Sequence, residues 1–191
     1  MLGKIKIKIF VVALVATLMT FISTSTLAYY STIGTATNVV TSGNIKLVIH
    51  ETSGDGTPFP EEGVYIIPGQ IVSKRVNIEN ACTHPFYLRV KLVNGIDSAE
   101  LSAEDCFNVN LNNTAWTLRD DGYIYYNSVL QPGEKTPYVF SEVEIVGEKV
   151  DINYIGKTLT LTVNAYAVQE ENNPAEYPWD AVGWPSEEIT E

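Results

Sequence analysis

Residues 158–167, Thr-Leu-Thr-Leu-Thr-Val-Asn-Ala-Tyr-Ala, alternate without a break. Leu159, Leu161, Val163, Ala165 and Ala167 share one parity, and Thr158, Thr160, Thr162, Asn164 and Tyr166 share the other. Side chains of an extended chain point to opposite faces at every second residue, whereas a helix returns to the same face about every 3.6. This run is therefore a strand with one dry and one wet face, and the dry face needs a second layer to cover it. Two further runs repeat the pattern: Val72, Val76 and Ile78 against Ser73, Arg75 and Asn77, then Phe86, Leu88, Val90 and Leu92 against Tyr87, Arg89 and Lys91. Earlier in the chain Ile45, Leu47 and Ile49 alternate with Lys46, Val48 and His50.

Weaker strand signals cover residues 64–67, 107–111, 116–118, 123–126 and 138–146. After the first 28 residues no stretch keeps a helical period over three turns, and residues 98–105 are the best candidate for a short helix. Pro68-Gly69 and Pro132-Gly133 each stand just ahead of a strand, where Pro presets the first turn dihedral and Gly supplies a positive φ. Eight or nine short strands with turn signals between them and no crossover helices predict an all-β fold, most simply an antiparallel jelly-roll β-sandwich.

The first 28 residues follow a different logic. Lys4, Lys6 and Lys8 make a basic start, residues 9–22 are apolar and uncharged, and Thr26 and Ala28 put small residues three and one before Tyr29. That order predicts a secretory signal peptide cleaved between Ala28 and Tyr29. The rival reading is an uncleaved anchor, for which the apolar run is shorter than the ~20 residues that span a bilayer. The expected organisation is a signal peptide over 1–28, an N-terminal segment over 29–42, a sandwich domain over 43–169 and an acidic tail over 170–191.

Charge narrows the partners. Twelve Lys and Arg against 23 Asp and Glu give −11, and removal of the three signal-peptide lysines leaves −14. Nucleic acids and anionic lipids are bound through clustered Lys and Arg, so neither is an expected partner, and the membrane enters only before cleavage. Chains so charged repel one another unless a specific contact or a counter-ion joins them. The tail has three Pro, two Trp, seven acidic residues and no Lys or Arg, and Trp179 and Trp184 are the residues expected to pin it back onto the domain.

Cys82 and Cys106 are the only cysteines. In an oxidising compartment they could form one disulfide closing a loop of about 25 residues, worth roughly 3 kcal/mol. Two buried free thiols are the equal alternative. No pair of His and Cys has zinc-ligand spacing, and no metal or cofactor is expected. His50 and His84 are the only histidines, and no nucleophile elbow, His-Glu-x-x-His helix or phosphate loop is present, so no catalytic residue is assigned. Asp120-Asp121-Gly122 reads as a turn. Tyr123, Tyr125 and Tyr126 with Trp116 are either a sugar-stacking platform or, more commonly for aromatics at strand spacing, core and cross-strand fillers.

Several segments, taken in order, resemble one family. Leu27-Ala28-Tyr29-Tyr30-Ser31 is similar to its cleavage junction. Residues 38–47, Asn-Val-Val-Thr-Ser-Gly-Asn-Ile-Lys-Leu, are similar to its mature start, and residues 68–74, 76–80 and 85–90 to its central strands. Asp121-Gly122-Tyr123-Ile124-Tyr125-Tyr126, Leu130-Gln131-Pro132-Gly133-Glu134 and Ala165-Tyr166-Ala167-Val168-Gln169 fit its later ones. The family is that of TasA and camelysin, exported through the signal peptidase SipW. The resemblance implies a jelly roll and a secreted bacterial structural role, as subunit or accessory component of biofilm matrix fibres at the cell surface. The implied partners are further copies, the signal peptidase during export and other matrix components. Camelysin's classification as a metallopeptidase makes that activity the alternative, and a surface adhesin or carbohydrate-binding module is the third class. If the chain polymerises, Tyr29, Tyr30, Ile33, Val39 and Val40 carry the β-favouring character of a strand donated to a neighbour. Equally, this stretch can fold against its own domain as an edge strand.

Overall fold

The computed structural model describes residues 31–41, 45–173 and 175–185; within the first strand the side chains of residues 34–38, 40 and 41 lie outside that description. The expected cleavage site at Ala28 and Tyr29, and Tyr30 beside it, also lie outside the described residues.

Ten strands follow in order: β1 (Ser31–Thr41), β2 (Leu47–Ser53), β3 (Val64–Ile66), β4 (Ile71–Asn80), β5 (Phe86–Ile96), β6 (Phe107–Val109), β7 (Trp116–Leu118), β8 (Ile124–Tyr126), β9 (Phe140–Ile145) and β10 (Thr158–Gln169). They form a six-stranded sheet, β3-β1-β10-β5-β8-β7, and a four-stranded sheet, β2-β4-β9-β6. The inward parities read from the sequence meet between the two sheets. Val72, Val76 and Ile78 of β4 belong to one buried cluster with Leu88 and Val90 of β5 and Leu159, Leu161 and Val163 of β10. The molecule is thus an all-β sandwich, and each Pro-Gly pair makes its turn. Gly69 and Gly133 have φ of 78° and 77°, and Gln70 N and Glu134 N donate to Ile67 O and Gln131 O, both at 3.1 Å.

Three expectations are corrected. The sandwich is not wholly antiparallel, because β1 runs parallel to β10 from Thr32↔Thr158 to Thr41↔Ala167. Such pairing of the chain's two ends brings no sequence signal, since each strand alternates in the same way whatever its neighbour's direction. Residues 98–105 form turns and irregular backbone; the described helical residues are confined to two short 3-10 turns, Ile152–Tyr154 and Pro178–Asp180. Finally, β10 does not keep a wet face to its end, since Tyr166 and Val168 on the outward parity are buried by the tail.

The inward parity of β4 carries one charge. Lys74 is 0% exposed, and its Nζ lies 2.9 Å from Glu51 Oε1 of β2, 3.5 Å from Leu161 O and 5.4 Å from the Phe59 ring centroid. It stands where the β4–β9 register shifts between Ser73 and Val76, the kind of bulge that re-aims a side chain. Burial pulls the Lys74 pKa down, and Glu51 opposes the shift.

Candidate functional site

Two surfaces carry the functional reading, the edge built by β1 and the outer face of the six-stranded sheet. β1 enters the sheet at Ser31, whose hydroxyl donates to Tyr154 O, and Thr32 N donates to Lys157 O at 3.1 Å. β3 pairs with β1 only from Ser31 to Ile33. Gly63, at φ 78°, stands so close that a Cβ there would lie 1.9 Å from Ile33 O, so this approach requires glycine. Beyond Ile33 the side of β1 away from β10 has no pairing strand among the described residues. Ile33 is fully buried, yet Val39, on the same inward parity, is 48% exposed. The donor candidates Ile33, Val39 and Val40 therefore lie on β1 within the chain's own sheet, with Val40 opposite Tyr166 in register.

The aromatic quartet does not form one platform. Strand parity divides it: Trp116 and Tyr126 face the core side, with ring centroids 5.2 Å apart, whereas Tyr123 and Tyr125 face outward. On that outer face Arg89 of β5 stands opposite Tyr125 of β8 and Tyr166 of β10. Its guanidinium carbon lies 3.6 Å from the Tyr123 ring centroid, and Nη1 donates to the Tyr125 hydroxyl at 3.2 Å. The Tyr125 hydroxyl in turn donates to Asp121 Oδ2 at 2.7 Å; burial, and then this hydrogen bond, raise its pKa. Asp121 is held by the expected turn, with Gly122 at φ 79° and Tyr123 N bonded to Asp121 Oδ1 at 3.0 Å.

The tail closes over this face. Trp184 lies 4.5 Å from the Arg89 guanidinium and Trp179 lies 5.0 Å from that of Arg119. Asn173 fixes the return of the chain: its Nδ2 donates to Val182 O and its Oδ1 accepts from Val182 N. Tyr87, whose hydroxyl donates to Ala175 O, packs with Val168 and Ala181 beneath it. The sequence named both tryptophans as pins. It did not single out Arg89, whose signal was a cation among outward tyrosines.

The remaining candidates are placed separately. His50 Nε2 is 2.7 Å and Lys135 Nζ 3.3 Å from Glu79 Oε2, and the two hold the Glu79 carboxyl below the usual range. The carbonyl of His84 accepts from Asn80 Nδ2. Among the described residues no three of His, Cys, Asp and Glu stand together as a metal group. Cys82 and Cys106 are free thiols. Cys106 accepts from Val146 N beside the end of β9 that pairs with Ile71, whereas Cys82 follows Asn80 at the other end of β4. Ten residues of strand, roughly 30 Å, lie between, and a disulfide needs Cα atoms within about 7 Å. Cys106 is fully buried and burial raises its thiol pKa, so an aromatic disulfide reagent should modify one thiol per native chain, at Cys82, and two after unfolding. Two reactive thiols in the native chain would contradict this placement.

Compared with family models, curated proteins and solved structures, the chain matches none.

Proposed function

We propose that this chain is an exported bacterial structural protein, a subunit or accessory component of extracellular matrix fibres of the TasA and camelysin kind, and that it assembles by passing β1 to a neighbouring copy. On this reading the sandwich is a jelly roll and the signal peptide is removed before assembly. The observation that carries the proposal is how β1 is held. It is the first described element after the expected cleavage point, and a ten-position parallel ladder to β10 is its main attachment. Past Ile33 its outer edge has no pairing strand among the described residues, and Val39 exposes apolar surface on the core-side parity. A strand attached in this way can be replaced by the same strand from another copy, with main-chain hydrogen bonds giving affinity and alternate side chains giving register. Export and cleavage then act as the switch, since a tethered N-terminus cannot enter a neighbour.

Covalent locking tests the idea. Val39 and Ala165 are register partners in β1 and β10. In a Cys82→Ser background, Val39→Cys with Ala165→Cys should give a chain that is monomeric when oxidised and forms fibres when reduced. Fibres of equal length and yield from the oxidised chain, by microscopy and light scattering, would end the strand-exchange reading.

A further inference from the structure

Where the tail crosses the turn between β7 and β8, the two leave a cleft of about 250 Å³ lined by Arg119, Asp120, Asp121, Trp179 and Asp180. Both of its walls are held from behind. In the turn, Arg119 N donates to Tyr123 O and Gly122 N to Arg119 O, both at 3.0 Å, while Asp121 is fixed by Tyr123 N and the Tyr125 hydroxyl. On the tail side the 3-10 turn Pro178–Asp180 is seated by the buried Pro178 and by Ala181 against Tyr87 and Val168. The cleft is therefore set before any ligand arrives, which lowers the cost of binding.

Its lining combines a flat apolar surface with polar groups of both signs. The rings of Tyr177 and Trp179 stack with centroids 5.0 Å apart and planes 3° from parallel, and Tyr177 stays 47% exposed. Such a stack, held at the surface, offers an aromatic face to whatever comes from solvent. Arg119 supplies donors, and the carboxylates of Asp120 and Asp180 have no hydrogen-bond or ion-pair partner among the described residues.

These groups select by charge. Three carboxylates repel a phosphate or a uronate, and Arg119 opposes an amine in the same cleft. Nor do the carboxylates stand together as a metal group. An uncharged ring with hydroxyls on its rim and C–H bonds on its faces suits all of the lining at once. Its hydroxyls donate to Asp120 and Asp180 and accept from Arg119, bonds strengthened by the charge on the protein side. Its C–H face lies against the aromatic stack.

We propose that this cleft binds an uncharged pyranose chain, with Tyr177 and Trp179 as the stacking surface, Asp120 and Asp180 as acceptors and Arg119 as donor. The aromatic run 123–126 does not make this platform. The tail, folded over the turn, makes it instead. The site ties the protein to a polysaccharide whether or not copies exchange β1.

Saturation-transfer NMR tests this on the sugar's own protons, so the readout serves monomer and fibre alike. The probes are neutral hexasaccharides of glucose, mannose, galactose and N-acetylglucosamine, with hexagalacturonate as the anionic control. Saturation should reach the ring protons of at least one neutral hexamer and leave hexagalacturonate unmarked. Asp120→Ala with Asp180→Ala, and separately Tyr177→Ala, should each weaken binding at least tenfold. Glu61→Gln with Glu62→Gln, on the loop before β3, should bind as the parent does. Cooperative melting verifies folding, and the aspartate pair, which no other group depends on, carries the test if Tyr177→Ala loosens the tail. No transfer to any neutral hexamer at about 10 mM, binding unchanged by the aspartate substitutions, or stronger transfer to hexagalacturonate would overturn the proposal. Strand exchange would be untouched by any of these results, because its test uses β1 locked to β10.

Discussion

Val163→Asp should lower the melting temperature by about 10–20 °C, while Thr162→Asp, one residue earlier, should melt within a few degrees of the parent. Val163 is fully buried in the middle of β10, between Leu92 of β5 and Thr37 of β1 in register. An unpaired carboxylate there loses its hydration with no partner to replace it, a cost of about 5 kcal/mol against a typical domain stability of 5–15 kcal/mol. For a domain of this size that corresponds to a melting shift of about 10–20 °C. Thr162 lies on the opposite parity and is partly exposed. Leu161 is the less clean position, because Lys74 Nζ lies near its carbonyl and could receive a new carboxylate. Equal melting of the Val163 and Thr162 variants, followed by circular dichroism, would place the wrong face of β10 inward.

Glu51→Ala should cost nearly as much, by a different route. Lys74 is 0% exposed and Glu51 11% exposed, so removing the carboxylate strands a buried ammonium, which typically costs 3–5 kcal/mol. Replacing both members, Lys74→Met with Glu51→Leu, should restore stability to the parent value or above, since apolar residues of similar volume carry no desolvation cost. The loss in Glu51→Ala should also depend on pH with a definite sign. Burial holds the folded Lys74 pKa below 10.5, so between the two values the unfolded chain carries the proton and the folded chain does not. Stability therefore rises with pH through that window, and the Glu51→Ala deficit should be largest near neutrality and shrink toward pH 10. Denaturant melts at several pH values would show this; a pH-independent deficit would mean that the damage is loss of packing, not a stranded charge.

Much of the candidate site could be read before any fold was known, but in pieces. The outward parity of residues 86–92 put Tyr87, Arg89 and Lys91 on one face, and the tail's composition marked Trp179 and Trp184 as anchors. Their meeting could not be read, because contacts between residues 89 and 184 leave no periodic trace in either segment. The aromatic run 123–126 looked like one group by proximity in sequence. Strand parity split it, sending Tyr126 to Trp116 in the core and Tyr123 and Tyr125 to Arg89. Cys82 and Cys106 illustrate the converse, since a modest sequence separation allowed a disulfide that the length of β4 forbids.

Alternation over residues 72–78, 86–92 and 158–167 determined by itself that the chain is all-β and which side chains face inward, because a period of two is a local property of extended backbone. The Pro-Gly turns were determined in the same way, by the dihedral limits of those two residues. Only the tertiary structure decided what each strand lies beside. It set β1 parallel to β10, placed Lys74 against Glu51 inside the sandwich, and buried Tyr166 and Val168 beneath the tail. In each case the deciding energy comes from partners far apart in the chain, the ladder for β1, the counter-charge for Lys74 and the tail's covering side chains for the outer tyrosines. Local pattern carries no record of such partners.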